Sequence, residues 1–430
     1  MKVTIIAPGS RGDVQPYVAL GKGLKEAGHT VRVLTTQEFQ NLVTAYGLDF
    51  FDMGGSMETV AQSMQALLEQ GNMLKILASM GQAAQQLAGQ AAVSGLVACQ
   101  GSDLILGGLG GLFVGLALSE KLGIPFVPAY LYPFTPTREF PSVLTPLPHT
   151  RLTSWANRLT HRLAQQMMWQ TTRAADNKAR RQVLHMPPAK FWGPFAALQQ
   201  QKRTPVSNGL TVQTILYGYS PQVLPPPKDW GDCIHVTGYW FLEPPAGWEP
   251  PIDLVNFLQS GPPPVFIGFG SIPNSKPEKT ADLVLQALAR TGQRGVLSAG
   301  WGGLKKENLP ETVFMIGSMP YSWLFPQMAA VVHHGGAGTT AAGLWAGIPA
   351  IVTPFFGDQP FWGKRVYALG VGPRPIPRQH LTVDRLTESI RCAVSDTGMR
   401  TRAARLGEGI RAEDGIARAV AAIEQNRAKP

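Results

Sequence analysis

Cysteine, acidic residues and long apolar runs are scarce in this 430-residue chain, and each scarcity excludes something. Cys99, Cys233 and Cys392 are odd in number, far apart and without C-x-x-C spacing. No disulfide framework or zinc site is therefore expected, which fits a reducing cytosol. The longest uncharged apolar stretch, Leu104 to Leu118, falls short of the ~20 residues needed to span a bilayer. It is also broken by Gly107, Gly108, Gly110 and Gly111. Lys2 to Ala7 enters a strand at once, leaving no room for a signal peptide. The expectation is a soluble, cytoplasmic protein. Two nucleotide-binding patterns are missing as well. There is no Walker loop, and Gly9-Ser10-Arg11-Gly12-Asp13 is not G-x-G-x-x-G. Thr35-Thr36 stand where a dinucleotide fold needs an acid at the end of its second strand, so a nicotinamide site is not expected.

The scarcity of acid is local. Net charge is +10, and between Arg151 and Arg203 Asp176 is the only acid among Arg151, Arg158, Arg162, Arg173, Lys178, Arg180, Arg181, Lys190, Lys202 and Arg203. The plain explanation is a solvated helix face. The sharper one is a surface that rests on anionic lipid at the inner face of the membrane. Trp155, Met167, Met168, Trp169, Phe191 and Trp192 interleave with these charges. Nucleic acid is not expected, because the chain carries no nucleic-acid-binding motif.

What is present is alternation. Val3–Ala7, Val31–Thr35, Leu48–Phe51, Leu104–Leu106 and Phe126–Ala129 read as strands. The first helix spans Val14–Ala27, with Pro16 in its first turn and Gly28 past its end. Ser56–Cys99 has helical spacing at Leu67, Leu68, Met73, Leu74 and Leu77 and reads as two helices. Tyr130–Pro148, rich in proline and aromatics, reads as a loop. After the prolines at 225–227, 244–245 and 250–251 the pattern restarts, with strands at Val265–Phe269, Gly295–Ser298, Val313–Ile316, Ala330–His333 and Ala350–Thr353. A helical tail runs from Arg402 to Glu424. Length and pattern predict two doubly wound parallel-sheet domains of roughly 200 residues each. Their strand C-terminal ends would face a cleft.

The most informative segment is His333-His334-Gly335-Gly336-Ala337-Gly338-Thr339-Thr340, followed by Gly357-Asp358-Gln359. A buried strand that passes through small residues straight into a helix aims unpaired N–H groups and a positive dipole end at one spot, which suits phosphate. Asp13 stands at the corresponding place in the first half, either as a helix cap or as a carboxylate at the mouth of the cleft. Ser271, after Phe266 to Gly270, either donates to a phosphate oxygen or is a turn serine. Ser298 ends one strand, with Trp301 after it either covering a base or merely packing, and Ser318-Met319 follow another, positioned to wall off a planar group.

Together these segments resemble the UDP-glycosyltransferase superfamily, glycosyltransferase family 1, with the GT-B fold. Five of them, GSRGDVQPY (9–17), FIGFGSI (266–272), HHGGAGTT (333–340), PFFGDQ (354–359) and IRAEDGI (410–416), resemble sterol glucosyltransferases and their bacterial relatives. The resemblance implies that His334 contacts the donor diphosphate, with Gly336, Ala337, Gly338, Thr339 and Ser271 completing the cradle. Asp358 and Gln359 would bond the donor sugar, while Ser298, Trp301, Ser318 and Met319 would hold the nucleobase. No stacking tryptophan stands beside Ser318 as in plant relatives, which leaves UDP and TDP both open as donors. Asp13 would be the general base, with desolvation raising its pKa enough to serve an alcohol. Tyr132, Phe134 and His149 are candidates for contact with the acceptor.

The resemblance further implies an acceptor domain at 1–225, a linker at 226–250, and a nucleotide-sugar domain at 251–430 whose last helix packs back on the first domain. The expected function is inverting transfer of a hexose, glucose first, from a UDP-sugar to a hydroxyl of an apolar acceptor such as a sterol. No cofactor or metal is expected, and no D-x-D pair is present. The alternatives are a phenolic, polyketide or glycopeptide glycosyltransferase, a sugar-nucleotide epimerase, or a non-catalytic binding protein. An epimerase predicts carboxylates around the sugar and no large apolar acceptor segment. A binding protein predicts loss of Asp13 or of the Asp358-Gln359 pair.

Overall fold

The computed structural model describes residues 1–56, 73–144, 153–195, 214–270, 277–299 and 308–425. The first half runs β1 (Lys2–Ile6), α1 (Arg11–Glu26), β2 (Thr30–Thr35), α2 (Gln40–Thr44), β3 (Asp49–Asp52) and α3 (Met73–Cys99). It continues with β4 (Leu104–Gly107), α4 (Leu112–Leu122), β5 (Phe126–Tyr130), α5 (Ser154–Gln182), β6 (Ile215–Tyr217) and β7 (Ile234–Val236). The second half opens with α6 (Ile252–Gln259), β8 (Val265–Gly268), α7 (Pro277–Thr291), β9 (Gly295–Ser298), β10 (Val313–Ile316) and α8 (Tyr321–Leu324). It ends with β11 (Ala330–His333), α9 (Ala337–Ala346), β12 (Ala350–Val352), α10 (Gln359–Ala368), α11 (Val383–Ser395), α12 (Thr397–Arg411) and α13 (Gly415–Gln425).

Among the described residues, those up to Phe241 form one compact unit together with the stretch from Asp414 onward, and Leu242–Glu413 form another. The first holds a seven-stranded sheet in the order β3-β2-β1-β4-β5-β6-β7. The second holds five strands in the order β10-β9-β8-β11-β12. Every pairing is parallel. Parallel strands are covered on both faces and so read as continuous apolar runs. Val3, Ile5 and Ile6 of β1 and Val265, Phe266 and Ile267 of β8 are all buried. Burial contributes roughly 1.5–3 kcal/mol per such side chain, so the sheets are stiff platforms for the turns at their edges.

Several boundaries differ from the sequence expectation. Helix α1 begins at Arg11, not Val14, because Ser10 serves as its N-cap, and Pro16 stands in the second turn. Residues 226–250 are not all linker, since Ile234–Val236 is the seventh strand of the first unit. Strands of three residues, as β6 and β7 are, show too little pattern to be read from sequence. Of the two helices expected over Ser56–Cys99, residues 57–72 lie outside the described residues. From Met73 to Cys99 there is one continuous helix. The helical tail divides in two, because Asp414 accepts a hydrogen bond from the Ala417 N–H at 2.8 Å and starts α13 afresh. That last helix packs on α1 within the first unit, where a Cβ on Gly23 would lie 2.1 Å from Ile416 Cγ2.

Candidate functional site

In the second unit the strands' C-terminal ends share one edge. His333 pairs with Gly268 of β8 and Val352 of β12, while Ser298 of β9 lies beside Ile316 of β10. This is the edge at which open α/β sheets bind ligands. From His333 the chain turns at Gly335 (φ 91°) and enters α9 with Gly336 as N-cap. No side chain caps this helix. The Thr340 N–H is the first to bond within it, to Gly336 O at 2.9 Å. The N–H groups of Ala337, Gly338 and Thr339 thus form a first turn with no partner among the described residues.

Glycines make the seat for His334. A Cβ on Gly270 would come within 2.5 Å of its ring, and one on Gly336 within 2.4 Å. His334 Nδ1 is buried with no partner among the described residues, and burial lowers the ring's pKa to about 4. His333, fully buried behind it, accepts from the Gly335 N–H on Nδ1 at 3.0 Å. Its own pKa is lowered to about 3, first by burial and then by His334. Both imidazoles are therefore neutral at pH 7, each with one ring N–H to donate. An orphaned buried nitrogen beside an uncapped helix start suits a phosphate oxygen.

Asp358 and Gln359 lie against this turn. A Cβ on Gly335 would be 3.0 Å from Gln359 O. Asp358 Oδ2 accepts from Trp362 Nε1 at 2.8 Å, so the indole one turn along α10 orients the carboxylate. Gln359 is buried, and its Oε1 accepts from the N–H of Phe355 at 2.8 Å and of Phe356 at 3.3 Å. Its carbonyl is committed to the preceding loop, leaving the amide NH2 as the group available to a ligand. Ser298 and Met319 are half-buried and Ser318 is exposed, at the ends of neighbouring strands. Ser271 and Trp301 lie outside the described residues.

In the first unit, Asp13 occupies the first turn of α1. Its Oδ2 accepts from both Ser10 N–H and Ser10 Oγ–H, each at 2.9 Å, and Oδ1 has no protein partner among the described residues. Gly9 (φ 142°) permits this, since a Cβ there would lie 2.5 Å from Asp13 Cβ. The side chain has exposed surface, yet the surrounding protein desolvates the carboxyl and raises its pKa above the ordinary value. The two bonds from Ser10 lower it, but by less. One turn on, Tyr17 donates to Ala129 O at 2.6 Å. Burial, and secondarily Asp13, raise the Tyr17 phenol far beyond the usual range.

Of the acceptor candidates, Tyr132 is half-buried. Phe134 is only 3% exposed and packs against Tyr130 and Phe195, so it is part of the local core. His149 lies outside the described residues. The sequence assigned no role of their own to the supporting residues Tyr17, Gly270, His333 and Trp362. For Trp362 a signal existed in its i,i+4 spacing from Asp358. Gly270 meets His334 only through the fold.

Residues 3–141 match the glycosyltransferase family 28 N-terminal domain. Residues 283–424 match the erythromycin biosynthesis protein CIII-like C-terminal domain. A sterol 3-beta-glucosyltransferase of Arabidopsis thaliana is 36% identical over 441 residues, 99% of this chain and 68% of the relative. One from Cryptococcus neoformans is 36% identical over 450 residues, 98% of this chain but 27% of that protein. Among solved structures, the glycotransferase of kitacinnamycin superposes with a TM-score of 0.70 at 20% identity, covering 99% of this chain and 98% of that one. The Streptomyces sp. SF2575 glycosyltransferase SsfS6, complexed with thymidine diphosphate, gives 0.61 at 18% identity, covering 99% of each chain. The chain belongs to the UDP-glycosyltransferase family, has the GT-B fold, and is a glycosyltransferase.

Proposed function

We propose that this chain transfers a hexose, glucose first, from a UDP-sugar to the hydroxyl of an apolar acceptor such as a sterol, with inversion. Asp13 acts as general base: the acceptor oxygen bonds to the anomeric carbon as its proton passes to the Asp13 carboxylate. The bond from that carbon to the diphosphate breaks, and the departing charge falls to His334 and the first N–H groups of α9. Asp358 and the Gln359 amide bond the sugar hydroxyls, and Ser298, Ser318 and Met319 border the base. Inversion gives a β-linked product. The sugar nucleotide is a substrate, and no separate cofactor enters.

The observation that carries this reading is Asp13, whose Oδ1 is left open while Oδ2 is held by Ser10. Its raised pKa brings a carboxylate closer to the strength that an alcohol requires. The sterol 3-beta-glucosyltransferase relatives support the acceptor class. A second reading, transfer from a TDP-sugar to a natural product, is favoured by the structural likeness to a glycosyltransferase complexed with thymidine diphosphate. The test is incubation with UDP-glucose or TDP-glucose and a panel of sterols and phenolics, read by mass spectrometry. A hexose added to sterol from UDP-glucose supports the first reading, and a phenolic product from TDP-glucose alone replaces it with the second. The proposal also includes peripheral contact with an anionic membrane through residues 151–203. Among the described residues no helix is long and apolar enough to cross a membrane.

A further inference from the structure

The basic stretch singled out in the sequence has a specific shape. A recess of about 370 Å3 opens between the start of α5 and the loop before it, lined by Arg138, Trp155, Arg158, Leu159 and Arg162. The four helical residues stand at i, i+3, i+4 and i+7 and so share one face. Arg138 is added by tertiary structure, because Asn157 Nδ2 donates to Arg138 O at 2.9 Å. His161 Nε2 holds the same loop at Phe140 O, 3.0 Å away.

Three guanidinium groups border this recess, and none is paired with a carboxylate among the described residues. Arg158 Nε is buried with no hydrogen-bond partner among the described residues. The carboxylates of Glu139 in this loop and of Asp229, which bonds to it, are engaged elsewhere. Asp229 accepts from Thr137 Oγ and the Arg138 backbone N–H, and Glu139 accepts from the Lys228 backbone N–H. A buried, unsatisfied guanidinium nitrogen is costly unless a ligand completes it, and the geometry of Arg favours phosphate.

The recess adjoins an apolar ridge. Trp155 (68% exposed) and Leu159 continue at helical spacing into Leu163 and Met167, all exposed. Phe191 and Trp192 (71% exposed) extend this exposed apolar surface beyond the helix. The backbone there is tied to α5, since Phe191 O accepts from Gln166 Nε2, Trp169 Nε1 and Gln170 Nε2 at 3.3, 2.9 and 2.8 Å. Exposed indoles beside arginines that have no ion-pair partner among the described residues match the polarity gradient of a bilayer interface, with apolar side chains at the acyl boundary and cations at headgroup level. A free soluble anion would use the arginines but give the ridge no partner.

We infer that this recess receives the phosphate headgroup of an anionic phospholipid while the Trp155–Met167 ridge enters the bilayer interface. The inference deepens the membrane part of the proposed function and is independent of glycosyl transfer. The test is sedimentation of the full chain with phosphatidylcholine vesicles, with and without phosphatidylglycerol. The variants are R138A/R158A/R162A and W155A/L159A, with unchanged UDP affinity and circular dichroism as evidence of folding. The parent should bind only the anionic vesicles, and less at high salt. Each arginine near an anionic surface is worth about 1 kcal/mol, roughly fivefold, so the triple variant should bind on the order of a hundredfold more weakly. Absence of parent binding to anionic vesicles overturns both the recess and the membrane reading. Full binding by the triple variant overturns the recess alone. Arginine-dependent stabilisation by inorganic phosphate without vesicle binding overturns the lipid as occupant.

Discussion

The turn from β1 into α1 and the turn from β11 into α9 are the same device put to opposite uses. Each leaves a buried parallel strand through glycine and starts a helix whose N-terminal N–H groups need an acceptor. In α1 the third helical residue is Asp13, held by Ser10; in α9 it is Thr339, after an N-cap glycine with no capping side chain. One helix start carries its own anion and the other has none. The residue at the third helical position decides whether such a turn carries a carboxylate of its own or leaves its first N–H groups open to an outside anion.

The largest expected effect comes from removing the carboxylate. Asp13→Asn should lower the transfer rate on the order of 10²–10⁴-fold and leave UDP affinity by calorimetry unchanged. An unaltered rate would take Asp13 out of the mechanism. The reciprocal change, Thr339→Asp, gives the second turn its own anion. Calorimetry should show UDP affinity falling about tenfold or more, since ~1–2 kcal/mol of dipole stabilisation is then satisfied within the chain. If affinity survives, the cradle reading fails. Next in size is Gly336→Ala, whose Cβ would meet His334 Nε2 at 2.4 Å. Overpacking of that kind costs about 1–3 kcal/mol and should lower both melting temperature and donor affinity.

The pH dependence sharpens the same contrast. Because desolvation raises the Asp13 pKa, the acid limb of kcat/KM should lie above the ordinary 3.8 and disappear in Asp13→Asn. The smallest effect is on stability. A carboxyl whose folded pKa exceeds its unfolded one contributes stability below the unfolded value and loses it as pH rises through the folded value. Asp13→Asn should therefore melt slightly higher than the parent at pH 7, with the difference closing in acid. A lower melting point at pH 7 would mean that the Ser10 bonds outweigh desolvation.

Much of the second half was legible in the sequence. Gly295–Ser298, Val313–Ile316 and Ala330–His333 are strands with the expected boundaries. They are continuous apolar runs bounded by turn residues, the pattern of a sheet covered on both faces. The start of α1 was less legible, because Gly-Ser-Arg-Gly reads as loop until Ser10 is seen to cap. Phe134 illustrates another limit. An aromatic residue in a proline-rich segment reads as a contact surface, but which side it faces depends on the Tyr130 and Phe195 rings that pack on it.

The sequence by itself determined the chemistry available: a glycine-rich helix start, an Asp-Gln pair one strand–helix unit later, a lone carboxylate after the first strand, and a basic stretch almost without acid. Each is carried by residues close together in the chain, where spacing translates directly into turns and faces. Tertiary structure alone decided that Gly270 makes room for His334, that Gln359 commits its carbonyl to the Phe355–Phe356 loop, and that Arg138 joins Arg158 and Arg162. Those partners are separate segments, brought together by packing that no local period records.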